Sequence, residues 1–155
     1  MRVFPDTNVL VAAFIARGLC ADLFREILKR HQLVVGEVVL DELQRALFTK
    51  VKVPKSGVKR IVNFLRRWEV VAYPEAPLEV EIGDQSDKWV LASATKAGAD
   101  LFVTGDIEID IEILTLKKIE GVRIVTPRDC WMLLSCLLYT SDAADELDGV
   151  EHGGS

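Results

Sequence analysis

The sequence holds only two histidines, at 31 and 152, and three cysteines, at 20, 130 and 136. Neither set has the spacing of a metal-ligand pattern, and the cysteines have no paired spacing that would suggest a disulfide framework. Long apolar runs are missing as well. The longest, Val9 to Ala16, is too short to span a bilayer, so no membrane partner is expected. A secretory leader needs a basic start, an apolar stretch and a small-residue cleavage site. Asp6 interrupts that pattern at once, and a cytoplasmic protein is expected.

The last twenty residues, "CLLYTSDAADELDGVEHGGS", contain no Lys or Arg and no apolar periodicity. "CLLYTSDAADE" resembles the in-frame translation of a transposase-type sequencing adapter. Residues 136–155 are therefore read as a non-native, disordered tail, and residues 1–135 as the single folded domain. Five of the 24 acids fall in that tail (Asp142, Asp145, Glu146, Asp148 and Glu151), which leaves 19 acids against 19 bases. The formal charge of −5 then belongs to the tail, and the domain is balanced.

What is present is an alternation of short apolar runs and helical spacings. Arg2-Val3-Phe4 reads as a strand that Pro5 stops, and Val9 to Ala16 as a helix. Ala21 to His31 has helical apolar spacing, and "LVV" (33–35) reads as a buried strand ending at Gly36. Helices are expected over 37–48 and 58–68, with Ser56 a candidate N-cap of the second. "VVAY" (70–73) reads as a strand, 87–99 as a helix ended by Gly98, "LFVT" (101–104) as a strand, and "GVRIVTP" (121–127) as holding another. Pro127 suits the first turn of a last helix to about Ser135. "DIEIDIEIL" (106–114) fits either a period-two strand or a loop. Strands alternating with helices predict an α/β fold with a mainly parallel sheet covered on both faces.

In such sheets, sites form beyond the carboxyl ends of the strands. Asp6 follows the first strand and Asp106 follows "LFVT", so central parallel strands would bring both carboxylates to one edge. On the helix from 37, Asp41 falls on the solvated face, whereas Glu42 borders the apolar stripe. Asp87 opens its helix on the apolar side, with Val90 and Leu91 at i+3 and i+4. Each acid also has a structural reading. Asp6 suits a helix cap, Asp87 a capping box with Asp84, Asp106 a turn, and Glu42 a surface charge. As a group they imply more. Two carboxylates about 4 Å apart repel by roughly 4 kcal/mol at an effective dielectric of 20. An oxygen-only set with no His or Cys nearby favours Mg²⁺ or Mn²⁺.

"DTNVLV" (6–11), "EVVLDEL" (37–43), "SDKWVLASATKAGADLFVTGD" (86–106) and "VRIVTPRD" (122–129) together resemble the PIN-domain ribonucleases, most of all the VapC-type toxins of toxin–antitoxin systems. The resemblance implies a three-layer α/β/α PIN-like domain and a four-acid catalytic site at Asp6, Glu42, Asp87 and Asp106. Of these, Asp6, Asp87 and Asp106 are the expected metal ligands. Thr7, Asn8 and Thr104 are expected to support the acids, and Glu108 and Asp110 are candidate accessory acids. The implied activity is metal-dependent endoribonuclease hydrolysis of single-stranded or structured RNA, leaving 5′-phosphate and 3′-hydroxyl ends. An antitoxin partner and a homodimer are implied as well. One departure is Pro5, where the family usually has another apolar residue. It puts the last pairing of the first strand, and the aim of Asp6, in question.

Residues 45 to 67 hold eight bases (45, 50, 52, 55, 59, 60, 66 and 67) and no acid. In a balanced domain this marks a candidate phosphate-binding surface, with Lys59, Arg60, Arg66 and Arg67 as RNA contacts and Trp68 as a stacking residue. A solvated helix face with a core Trp explains the same pattern. Alternative functions are a non-catalytic RNA-binding PIN module and a haloacid-dehalogenase-type phosphatase. The first would lack site acids. The second needs an Asp where this chain has Asn8.

Overall fold

The computed structural model describes residues 1–79, 85–105, 118–119 and 121–135. The elements run β1 (Arg2–Pro5), α1 (Thr7–Ile15), α2 (Leu19–Arg30), β2 (Gln32–Gly36), α3 (Glu37–Arg45), a π-turn (Ala46–Lys50), α4 (Lys55–Leu65), β3 (Glu69–Val71), α5 (Gln85–Lys96), β4 (Leu101–Val103), β5 (Lys118–Ile119) and β6 (Val122–Val125). A last helix, α6, covers 127–135. The sheet order is β3-β2-β1-β4-β6-β5. The first five strands in that order are parallel, and β5 pairs antiparallel to β6. The fold is the expected three-layer α/β/α arrangement.

This order places β1 at the switch point. From β1 the chain winds through β2 and β3 to one side, then returns to build β4 and β6 on the other. Right-handed crossovers in the two directions put their helices on opposite faces. The crevice at the carboxyl end of β1 is therefore where a doubly wound sheet opens toward a ligand. The far end of the sheet is tied shut. Arg2 forks onto Glu69 at 2.9 Å through both terminal nitrogens, Gln32 Nε2 donates to Glu69, and the Arg2 backbone N–H donates to Asp100.

Pro5 does not stop β1, contrary to the sequence expectation. It pairs in register with Val103, and the next N–H, that of Asp6, donates to the Val103 carbonyl at 2.8 Å. Backbone groups alternate sides along a strand, so the N–H that proline lacks would have faced β2. Pairing with β2 has already ended at Val3. The missing donor is thus harmless, and the ring is buried at the end of the strand.

Two other expectations are corrected. Ser56 is not the cap of α4; the helix begins a turn earlier, with Pro54 at the N-cap, where its fixed φ and lack of an N–H suit the helix start. The helix expected over 37–48 gives way at Arg45 to the π-turn, which closes with Val51 N–H donating to the Ala46 carbonyl. "DIEIDIEIL" and the tail 136–155 lie outside the described residues. Among the described residues, no single helix is long and apolar enough to cross a membrane.

The core fills both sides of the sheet. Val3, Phe4, Leu33, Val35, Phe102 and Val103 come from the central strands, joined by Leu10, Leu40, Leu43, Leu65, Leu91 and Leu134 from the helices. α5 packs against β2, most tightly at Gly36. A Cβ on Gly36 would meet Ser93 Oγ at 2.1 Å and the Phe4 ring at 3.3 Å. Ser93 is fully buried, and its hydroxyl finds no hydrogen-bond partner among the described residues.

Ser93→Ala should therefore stabilise the protein by roughly 1 kcal/mol, because an unpaired buried hydroxyl is removed. Gly36→Ala should destabilise it by roughly 1–3 kcal/mol through overpacking, and the double variant should recover most of that loss. Urea unfolding of the four proteins measures the coupling; simple additivity would contradict the packing described.

Candidate active site

Asp6 leaves the end of β1 as the N-cap of α1 and is only 7% exposed. Its backbone is pinned to β4 by the bond to Val103. One side-chain oxygen accepts from the Thr7 N–H at 2.7 Å, and the other accepts from the Thr104 hydroxyl at 2.9 Å. Thr104 is itself fully buried one residue beyond β4. The neighbouring strand end thus supplies the donor that aims the carboxylate.

Thr7 links two acids. Its N–H donates to Asp6 and its hydroxyl donates to Glu42 at 2.8 Å. Glu42, on α3, also accepts from the Ser86 hydroxyl in the first turn of α5. Asp87 follows, half-buried on α5. A cleft of about 690 Å³ opens beside these groups, with Thr7, Asn8, Glu42, Arg45, Thr49 and Ser86 on its wall.

The electrostatics are those of a buried anion among anions. Burial pushes the Asp6 carboxyl up to about 7, and the charges of Glu42 and Asp87 push in the same direction. The bonds from Thr7 and Thr104 oppose the shift without cancelling it. No Lys or Arg pairs with Asp6 among the described residues. Such a group is satisfied by a proton or by a cation.

The structure thus brings together Asp6, Glu42 and Asp87, with Thr7 and Thr104 between them. Asn8 is exposed on the cleft wall rather than bonded to an acid, with no side-chain hydrogen bond among the described residues. Asp106, Glu108 and Asp110 lie outside the described residues. Among the described residues, no three His, Cys, Asp or Glu side chains form a complete metal-holding group. Asp6, Glu42 and Asp87 offer only carboxylate oxygens, which suit a hard divalent cation. Asp41 is less solvated than its helix position suggests: it is half-buried and accepts a hydrogen bond from Tyr73.

Sequence reasoning missed Ser86 as a partner of Glu42. Its one available signal was its place directly before Asp87. The basic residues also separate. Arg66 forks onto Glu37 at 2.8 and 2.9 Å, holding the Glu37 carboxyl below its usual range. Arg67 lies over the rings of Phe64 and Trp68, and Trp68 is half-buried against the core. Lys59 and Arg60 are exposed.

Comparison with known proteins gives one family. The PIN-domain family pattern matches residues 2–108. Two solved structures share the fold. VapBC2 from Rickettsia felis, bound to a DNA fragment from its promoter, aligns with a TM-score of 0.60 at 18% identity, covering 81% of this chain and 98% of that one. DNA-bound VapBC from Salmonella typhimurium aligns with a TM-score of 0.54 at 16% identity, covering 82% and 98%. No curated protein sequence matches the chain.

The raised Asp6 carboxyl fixes a pH dependence. Between its ordinary value near 3.8 and about 7, the folded metal-free protein holds a proton that the unfolded chain has lost. Stability from this group is full below the lower value and falls as pH rises through about 7. Metal-free protein should melt at a higher temperature at pH 5 than at pH 8, with a loss of at most roughly 3 kcal/mol over that interval. Asp6→Asn should abolish this component, since an amide can still accept from Thr7 and donate to Thr104. A wild-type pH profile in Asp6→Asn would contradict the assignment.

Proposed function

The chain belongs to the PIN-domain family, and on that premise we propose that it is a divalent-cation-dependent endoribonuclease acting as a VapC-type toxin. The observation that carries this reading is the buried Asp6 carboxylate at the switch point, beside Glu42 and Asp87 and without a cationic partner among the described residues. A helix cap needs none of those surroundings. Both structural neighbours come from VapBC complexes, which supports an antitoxin protein as the partner that restrains the enzyme.

In this reading Asp6 and Asp87, with Asp106, would hold Mg²⁺ or Mn²⁺, which would neutralise the phosphate, lower the pKa of water and stabilise the leaving oxygen. The protein's own part is placement. Thr104 and Thr7 fix both oxygens of Asp6, so the carboxylate meets its cation without reorganising. Thr7 and Ser86 hold Glu42 by two hydroxyl donors on the cleft wall. Glu42 is then positioned to take the proton of the attacking water. Attack in line on phosphorus breaks the bond to the 3′ oxygen, giving a 5′-phosphate and a 3′-hydroxyl.

Cleavage of single-stranded RNA with Mg²⁺ or Mn²⁺ tests the reading. Glu42→Gln should lower kcat by about 10²- to 10⁴-fold, and Asp6→Asn should lower both metal affinity and cleavage severely. Asp22→Asn, an exposed acid on α2 paired with Arg25, should cleave like wild type. Undiminished cleavage by Asp6→Asn, or in excess EDTA, would refute the proposal.

A further inference from the structure

A second depression, of about 780 Å³, runs between the π-turn and α4. Arg45, Lys55, Lys59 and Arg66 line it, and among the described residues no acid does. Arg45 and Thr49 line both this groove and the carboxylate cleft, so the two form one continuous surface. Phe48 stands on its wall, 54% exposed. A large aromatic is costly to leave in water, and the backbone here is built to do so. The π-turn widens the end of α3, and Lys52 closes it in the left-handed conformation, at φ 64°, which is uncommon for a residue other than glycine.

We propose that this groove seats the single-stranded RNA substrate, with Phe48 as a base-stacking platform and Arg45, Lys55 and Lys59 as phosphate contacts. The proposal rests on the nuclease reading and specifies its substrate path. Cations beside an exposed ring are the arrangement that binds an unpaired strand: the charges track the backbone and the ring takes a base. Trp68 is unsuited to that role, because Phe64 packs at 4.7 Å between ring centroids and Arg67 covers it as well. Arg66 is held by Glu37. Arg45, Lys55 and Lys59 form no ion pair among the described residues. Arg45, shared by both depressions, is the contact nearest Glu42, three positions along α3.

Binding of a labelled, mixed-sequence single-stranded RNA to the full chain in EDTA tests this without cleavage. Phe48→Ala should weaken binding roughly 5- to 150-fold with an unchanged salt slope. Phe48→Trp should restore affinity and Phe48→Leu should not. Lys55→Gln with Lys59→Gln should flatten the slope by roughly 1.4, about 0.7 per phosphate contact. Because the Phe48 side chain is exposed, the Phe48 variants should melt like wild type. Wild-type affinity in Phe48→Ala overturns the assignment while leaving the nuclease reading intact. Equal RNA affinity in the Leu and Trp variants also overturns it, since an aliphatic side chain offers no ring for a base to stack on. Failure of the wild-type chain to bind RNA in EDTA would overturn the groove assignment, whereas the nuclease reading stands or falls on cleavage with Mg²⁺ or Mn²⁺.

Discussion

A carboxylate buried beside other carboxylates is the constraint around which this molecule is arranged. Leaving Asp6 ionised in that place is unfavourable on two counts: it loses water, and it faces the charges of Glu42 and Asp87. The fold holds it there nonetheless. β1 runs between two parallel neighbours, Asp6 is pinned to β4 by its N–H, and Thr104 holds the side chain from the adjacent strand end. Thr7 then couples Asp6 to Glu42, and Ser86 couples Glu42 to the start of α5. These donors orient the acids but bring no positive charge. The site is electrostatically unfinished in its described part, which is what the proposed cation would complete.

Charge is distributed accordingly. Acids gather at the carboxyl end of the sheet, and the cations of the π-turn and α4 lie on the surface that continues from it. In the proposed function a phosphate would sit beside Asp6, Glu42 and Asp87 only if their charge were neutralised. The two surfaces would then be interdependent: one would attract the strand, and the other would supply chemistry at a single point with a cation bound. Arg45, on the wall of both, joins them.

Much of this was legible in the sequence because it depended on local pattern. Strand–helix alternation gave the parallel sheet, and the positions of Val38, Leu43 and Ala46 around Glu42 placed that acid near the apolar stripe. Asp6 was legible as a residue just beyond a strand end, and Thr104, expected as the last residue of its strand, was singled out by the family resemblance. The failures were contextual. Pro5 reads as a strand breaker, yet it is tolerated where β1 has no remaining partner on one side. Phe48 reads as the end of an amphipathic helix, and nothing in its spacing foretells the π-turn that exposes it. Arg66 reads as a free cation, but Glu37 of α3 occupies it, and Arg67 lies over Phe64 and Trp68 beside it in the chain. Ser86 became visible as a partner only when α5 came against α3. For Arg66 and Ser86 the deciding contact spans elements that sequence spacing cannot bring together.

The central claim is that Asp6 is buried to meet a divalent cation, and proton release on metal binding tests it most directly. The Asp6 carboxyl, raised to about 7, keeps a proton in part of the metal-free population near neutral pH. Calorimetric titration with Mn²⁺ in buffers of different ionisation enthalpy should then record a net proton release on binding. That release should vanish at high pH and in Asp6→Asn, where affinity should also collapse. Mn²⁺ binding with no proton release at pH 7, or binding undiminished in Asp6→Asn, would contradict the account.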